Sequence, residues 1–250
     1  MLGYSASVAD PNIILNTAVA ESLDQLSAKL EGVPAEEMEQ TVHQLLKDTI
    51  IAHKRVIFNG NGYTDEWVAE AEKRGLFNLK STPEALAQYI SEKNEALLIR
   101  HKIFTKSELH SRYEIKLENY SKIIHIEAET MVEMVQKDFL PSIITYTEQL
   151  ARTASLKKSV LPEISVSSEA KLLTKLANLQ DTISDSLESL KEITKAASSI
   201  EDIQELANYY QSKVFTSMET LRSSVDEAET LLPESVLPYP TYGKLLFSVY

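Results

Sequence analysis

Two long apolar stripes in the last third of the chain constrain its fold more than any other feature. Apolar side chains recur every three or four residues in each stripe, and the short segment "AASSIED" separates the two stripes. This spacing places each set on one face of an α-helix. We therefore predict two helices of about 30 residues, each about 45 Å long, that pack as an antiparallel hairpin. The stripes comprise Leu172, Leu176, Leu179, Ile183, Leu187, Leu190 and Ile193, and then Ile203, Leu206, Tyr210, Val214, Met218, Leu221 and Val225.

Helix signals also dominate the rest of the chain. Prolines and capping residues stand at the starts of the periodic segments, and glycines stand at the ends of two of them. The predicted fold class is therefore mainly α, a helical bundle that contains the long hairpin. We expect Pro141 to kink or restart a long helix, because proline removes a backbone donor from the helix interior. One predicted helix begins at Pro11 and ends at Gly32, and another is capped by Thr64 and ends at Gly75. A third is capped by Ser81 or Thr82 and has Pro83 in its first turn.

Composition excludes several classes of function. The chain has 250 residues, a net charge of −12 and no cysteine. Disulfides, thiolate zinc sites and cysteine nucleophiles are therefore absent. The acidic balance argues against a nucleic-acid-binding protein, which needs a basic face. No apolar run reaches the roughly 20 residues of a membrane span, and the N-terminus lacks a signal-peptide pattern. We expect a cytoplasmic protein that does not contact membranes.

The five histidines do not form a recognisable metal motif. A di-iron carboxylate bundle requires Glu-x-x-His, and none of the five histidines has an acidic residue three positions earlier. His125 shares a helical face with Glu129 and Glu133, and His110 shares one with Glu114. Hydrated faces or local ion pairs explain these spacings more simply than a metal site does. The sequence therefore predicts no metal ligand and no catalytic residue.

The segment "VIFNGNGYTDEW", residues 56–67, has two interpretations. "GNGYTD" begins like a dinucleotide-binding loop, but Asp65 occupies the third glycine position, and acidic side chains in the first helical turn would repel a phosphate. The simpler interpretation is a corner between two helices, in which glycine or asparagine takes positive φ and Thr64 caps the second helix. Trp67 would then fix the corner to the core. The candidate ligand site or structural corner comprises Asn59, Gly60, Asn61, Gly62 and Tyr63.

The C-terminal segment "PESVLPYPTYGKLLFSVY" differs from the rest of the chain. Its three prolines forbid a helix through Pro240, yet it carries aromatic residues and an apolar end. A free tail of this composition would be adhesive. We predict that it docks onto the bundle or onto a neighbouring subunit.

Several of these segments resemble type III glutamine synthetases. The resemblance is carried by "PNIILNTAVAESLDQLSAKLE", "HKRVIFNGNGYTDEWVAEAEKRGLFNL", "STPEALAQYISEKNEALL", "FTKSELHSRYEIKLENYSKIIHIEAETM" and "PYPTYGKLLF", and it runs in order over essentially the whole chain. It implies the C-terminal helices of the catalytic domain at residues 1–140. Residues 141–250 would be the type III-specific hairpin extension with its docking tail.

The resemblance implies an activity for the full-length enzyme but not for this chain alone. That activity is ATP-dependent ligation of ammonia to glutamate, with Mg2+ or Mn2+, in a large homo-oligomer. Family members hold their catalytic residues on strands that would precede Met1, so no family metal ligand or phosphate-binding arginine is carried over. The chain is expected to support the catalytic part and to build subunit contacts. The alternatives are an active or complementing glutamine synthetase subunit and a small-ligand regulatory module. Without the catalytic sheet, the apolar face of the first helix should be exposed at Ile13, Ile14, Val19, Leu23 and Leu26.

Overall fold

A computed structural model describes residues 7–247, and within them the chain is helical with no strand. This confirms the mainly α fold class. Two 3-10 turns, Lys54–Val56 and Ala197–Ser199, and two π-helical segments, Val135–Phe139 and Tyr210–Phe215, interrupt or extend the helices. None of the helices in this part of the chain is long and apolar enough to cross a membrane. The α-helices are α1 (Ala9–Ala28), α2 (Met38–Ala52), α3 (Asp65–Lys73), α4 (Thr82–Tyr89), α5 (Glu92–Arg100), α6 (Lys106–Met134), α7 (Leu140–Val160), α8 (Ser167–Ala196), α9 (Ile203–Tyr209), α10 (Thr216–Glu229) and α11 (Tyr242–Phe247).

The chain divides into two compact units. Unit 1 ends at Glu114 and unit 2 begins at Ile115, so the division falls within α6. This geometric division does not test the boundary at residues 140/141, which was inferred from the family resemblance and stays a prediction.

Unit 2 is a helical bundle with a continuous apolar core. The helix α8 packs along α7 and along α10, as the predicted hairpin requires. The first stripe supplies Leu176, Ile183, Leu187 and Leu190 to the core, and the second supplies its residues from Tyr210 to Val225. The remaining members of the two stripes are partly buried, and most of them pack against the same core. Periodicity alone therefore identified the central packing of this unit correctly.

A new α-helix begins around Pro141, as expected for a helix that restarts, but no loop separates it from α6. The chain passes from α6 through the π-helical segment Val135–Phe139 directly into α7, where Pro141 occupies the first turn. The π segment widens the turn immediately before the proline, so the missing N–H and the bulky ring are accommodated without a break. The second hairpin helix also contains a π segment, Tyr210–Phe215, which the sequence pattern did not reveal.

Unit 1 consists of shorter helices with well-defined ends. The turns after α1 and α3 hold Gly32 at φ 78° and Gly75 at φ 71°, as the glycine positions predicted. Ser81 and Glu84 form a capping box at the start of α4. The helical segment that begins at Ser81 is divided between α4 and α5. The side chains of Ser91 and Asn94 both donate hydrogen bonds to the carbonyl of Gln88 and so end α4.

Unit 1 buries few side chains. Within residues 7–114, only Thr17, Pro83, Leu98 and Leu109 are fully buried. The helix α2 buries none of its residues. These helices therefore lack the continuous apolar core that unit 2 possesses.

The first part of the C-terminal segment, up to Tyr239, docks onto the bundle of unit 2, as one of the two predicted alternatives, and residues 248–250 lie outside the described residues. Leu232 is buried in the core, and Val236 and Leu237 pack against it. The Tyr239 ring lies 5.7 Å from that of Phe139, and its hydroxyl donates a 2.6 Å hydrogen bond to Asp138. Beyond Pro240 the short helix α11 begins, and its side chains remain exposed.

Candidate functional site

The corner at residues 57–64 is closed by aromatic stacking. Phe58 stacks on Trp67 with ring centroids 3.7 Å apart. The Trp67 backbone N–H donates to the Thr64 hydroxyl at 3.4 Å, so Thr64 is the N-cap of α3. The side chain of Asn61 accepts a 3.0 Å hydrogen bond from the Tyr63 N–H. Trp67 is half-buried and anchors the corner to Phe58, whereas we expected it to reach a core.

Two arginines complete the corner by binding its own backbone. Arg55 donates to the carbonyls of Arg74 and Gly75 at 3.2 and 3.3 Å. Arg74 donates to the carbonyl of Ile57 at 3.2 Å and lies 5.3 Å from the Trp67 ring centroid. Arg74 also binds Glu70, which lowers the pKa of that carboxyl. Both guanidinium groups therefore already have partners within the fold.

The glycines of the corner have a different role from the expected one. Gly60 and Gly62 do not have positive φ, in contrast to Gly32 and Gly75. A Cβ on Gly60 would lie 2.7 Å from the Phe58 ring, so any larger residue there would displace that ring. The observed stack of Phe58 on Trp67 therefore favours glycine at position 60. Tyr63 is fully exposed at 100%, and the corner presents it outward.

His125 and His110 do not pair with the glutamates that helical spacing places on the same face. His125 Nδ1 lies 3.1 Å from the Tyr210 hydroxyl, and burial raises the pKa of Tyr210. His110 lies 2.6 Å from Glu95, not against Glu114. In the described part of the chain, no three His, Asp or Glu side chains come together to hold a metal. These histidines take part in local pairs whose partners come from other helices.

Helix α1 turns its polar face toward unit 1 and its apolar face outward. Glu21 binds both His101, at 2.6 Å, and Arg100 of the helix α5. Asp24 lies 3.3 Å from Arg100, and Thr17 on the same face is buried. On the opposite face Leu15, Val19 and Leu23 are 64%, 58% and 61% exposed. We call these three residues the α1 stripe.

The α1 stripe inverts the usual pattern of a surface helix, which buries apolar residues and exposes charges. The expectation of an exposed apolar face is confirmed for Ile14, Val19 and Leu23, whereas Ile13 and Leu26 are partly buried. Further exposed apolar residues occur on α2, at Leu46, Ile50 and Ile51. Exposed apolar side chains that form a contiguous patch are typical of interaction sites.

Taken together, the described residues form an all-helical protein with one self-contained bundle and one unit whose apolar helix faces are open. Comparison with known proteins gives the family. The model of the glutamine synthetase C-terminal domain matches residues 41–158. The chain belongs to the glutamine synthetase family and is similar to its C-terminal region.

Three relatives cover nearly the whole chain. A glutamine synthetase of Butyrivibrio fibrisolvens is 47% identical over 90% of this chain. One of Bacteroides fragilis is 29% identical over 98%, and a type-3 glutamine synthetase of Dictyostelium discoideum is 32% identical over 98%. The chain spans about a third of the length of these relatives, between 32% and 35%.

Proposed function

We propose that this chain is the C-terminal structural and oligomerisation region of a type III glutamine synthetase. In the full-length enzyme, ammonia would be joined to glutamate with ATP and Mg2+ or Mn2+ in the cytoplasm. This chain would hold the catalytic part in place and contribute contacts between subunits. It would have no ligase activity alone. Its partners would be the catalytic part of the enzyme and further copies of the same protein, without nucleic acid or membrane.

The inverted polarity of α1 carries this proposal. Ion pairs fix the polar face of the helix to α5, so the helix cannot rotate to bury the α1 stripe without breaking them. Because these three side chains are already about 40% covered, covering the rest of each would contribute about 1–2 kcal/mol. A surface from the remaining two thirds of a full-length enzyme would supply that cover.

The experiment combines the purified chain with the part of the Butyrivibrio fibrisolvens relative that lies outside the match. We expect complex formation, and we expect Leu15→Glu with Leu23→Glu to weaken it at least about tenfold, because two charges would enter an apolar contact. Leu156→Glu is the matched control, since Leu156 on α7 is similarly exposed but lies in the self-contained bundle. Equal binding by both variants would contradict the proposal.

Activity distinguishes the alternative of an enzymatically active chain. Phosphate release that depends on glutamate should stay at background for the chain alone with ATP and Mg2+. Release above background would establish the chain as an active subunit. Release only after mixing would show complementation and would agree with a supporting role.

In this proposal the corner at Asn59–Tyr63 is part of the scaffold, because the neighbouring Arg55 and Arg74 bind backbone carbonyls. The regulatory-module alternative requires binding of ATP, glutamate or glutamine there. Calorimetry with Asn61→Ala as the comparison variant tests it, and heat that disappears in this variant would favour the regulatory site.

A further inference from the structure

We propose that the bundle of unit 2 carries a docking groove for a basic amphipathic helix of another protein. The groove has a volume of about 550 Å3 and lies between α6 with its π-helical continuation on one side and α10 on the other. We call it the methionine groove. Its apolar lining includes Ile126, Met131, Met134, Phe139, Met218 and Val225.

The two π-helical segments of the bundle lie at this groove and at the opening beside it. Val135 and Phe139, from the first π-helical segment, line it directly. Phe215, from the second, lines an adjoining opening of about 520 Å3 that shares Met131 and Met218 with the groove. π-helical segments occur frequently at functional sites. Here one of them lines the groove and the other, far away in the sequence, lines the adjoining opening.

The lining suits a helical occupant. The wall residues lie along two helices at spacings of three and four, as in Met131–Met134 and Met218–Arg222–Val225. A partner helix laid between them would offer its own anchors at the same spacing. Together with α6, α8 and α10 it would form a four-helix arrangement. Three of the five methionines of the chain lie here. Flexible thioether side chains adapt to different apolar partners, so a groove of this type tolerates variation in the anchors.

The charges around the groove favour a partner of positive charge. Glu127 and Asp226 border it, and Glu219 borders the adjoining opening. Arg222, the basic residue on the lining, lies 3.3 Å from Asp226. Glu127 and Glu219 have no ion pair within residues 7–247.

The last third of the sequence, which includes α10, is also acidic overall. Residues 163–234 contain 14 acidic and six basic side chains, a balance of −8. A partner with lysine or arginine beside its apolar face would be attracted, whereas an acidic helix would be repelled. The chemistry of the occupant is therefore an apolar helix face with basic flanks.

The test uses the full chain and a fluorescent peptide of about 18 residues, about five helical turns, with leucine on one face and lysine on the other. A scrambled peptide of the same composition is the control ligand. Ile126→Glu places a charge on the groove, and Ile123→Glu is the matched control, because Ile123 on the same helix is 55% exposed against 62% for Ile126 and does not line the groove.

We expect Ile126→Glu to weaken binding at least about tenfold and Ile123→Glu to change it by less than about twofold. The double variant Glu127→Gln with Glu219→Gln should weaken binding and reduce its salt dependence. Methyl NMR should show shifts at Met131, Met134 and Met218 and none at Met38.

Three outcomes would overturn the proposal. One is equal binding of the scrambled peptide, and another is equal weakening by both isoleucine variants. The third is a change in the oligomeric state with Ile126→Glu, which would make the groove a contact between copies of this chain. None of these outcomes bears on the α1 stripe, so the proposed function is tested separately.

Discussion

Unit 2 and unit 1 use similar amounts of apolar sequence in opposite ways. In unit 2, the stripes of α8 and α10 face each other and bury leucine and isoleucine side chains completely. In unit 1, the α1 stripe and the apolar residues of α2 remain exposed, while polar side chains hold α1 to α5. Burial of apolar surface is the main stabilising contribution in folding. Unit 2 thus buries its apolar stripes within its own core, whereas unit 1 leaves apolar helix faces exposed.

The largest effect is expected from a charge placed in the core of unit 2. Ile183 on α8 is completely buried, so Ile183→Asp should destabilise the bundle by about 4 kcal/mol or more. Loss of helical circular dichroism in urea titrations measures the effect. A change below about 1 kcal/mol would mean that the bundle is not a cooperative core.

Charged substitutions on the exposed α1 stripe of unit 1 should leave the free energy of unfolding almost unchanged. Leu15→Asp with Leu23→Asp removes exposed apolar surface, so we expect the free energy of unfolding to change by less than about 0.5 kcal/mol. Self-association, measured by sedimentation velocity, should decrease, because an adhesive surface has been removed. Strong destabilisation would show that the α1 stripe is covered within the chain itself.

Local capping provides a smaller test within unit 1. Ser81→Ala removes the side chain that accepts from the Glu84 N–H in the capping box. We expect a loss of about 1 kcal/mol, detected as faster hydrogen exchange in α4 and not in α8. Ser142→Ala in unit 2 is the control, since the hydroxyl of Ser142 donates to a helical carbonyl and caps no helix start.

A pH-dependent effect should come from the ion pairs that hold α1. The hydrogen bond from His101, aided by Gln25 and Arg100, lowers the pKa of Glu21 below its ordinary value of 4.5. A lowered carboxyl pKa contributes stability above the unfolded pKa, and this contribution is lost as the pH falls through the folded pKa. Hydrogen exchange in α1 should therefore accelerate as the pH falls below about 4.5, relative to the intrinsic rate. Glu21→Gln should remove this pH dependence, and an unchanged profile would contradict the role of Glu21.

The sequence predicted unit 2 better than it predicted the candidate site. The stripe from Leu172 to Ile193 specifies its own packing, because helical periodicity and the buried face are the same information. The corner at residues 56–67 was correctly placed before α3, with Thr64 as its cap. The role of Gly60 was missed, because it depends on the ring of Phe58 stacking on Trp67. No local pattern encodes that contact.

By itself, the sequence determined the helical class, the hairpin, the capped and glycine-terminated helix ends and the resemblance to glutamine synthetases. These properties depend on residues a few positions apart, where propensity, periodicity and capping act. The tertiary structure decided which histidine meets which carboxylate, where the π segments lie beside the methionine groove and its adjoining opening, and which residues hold α1 to α5. Such features arise from contacts between residues distant in the chain, such as Glu21 with His101 and Tyr210 with His125. Only the packed fold brings these residues within reach of each other.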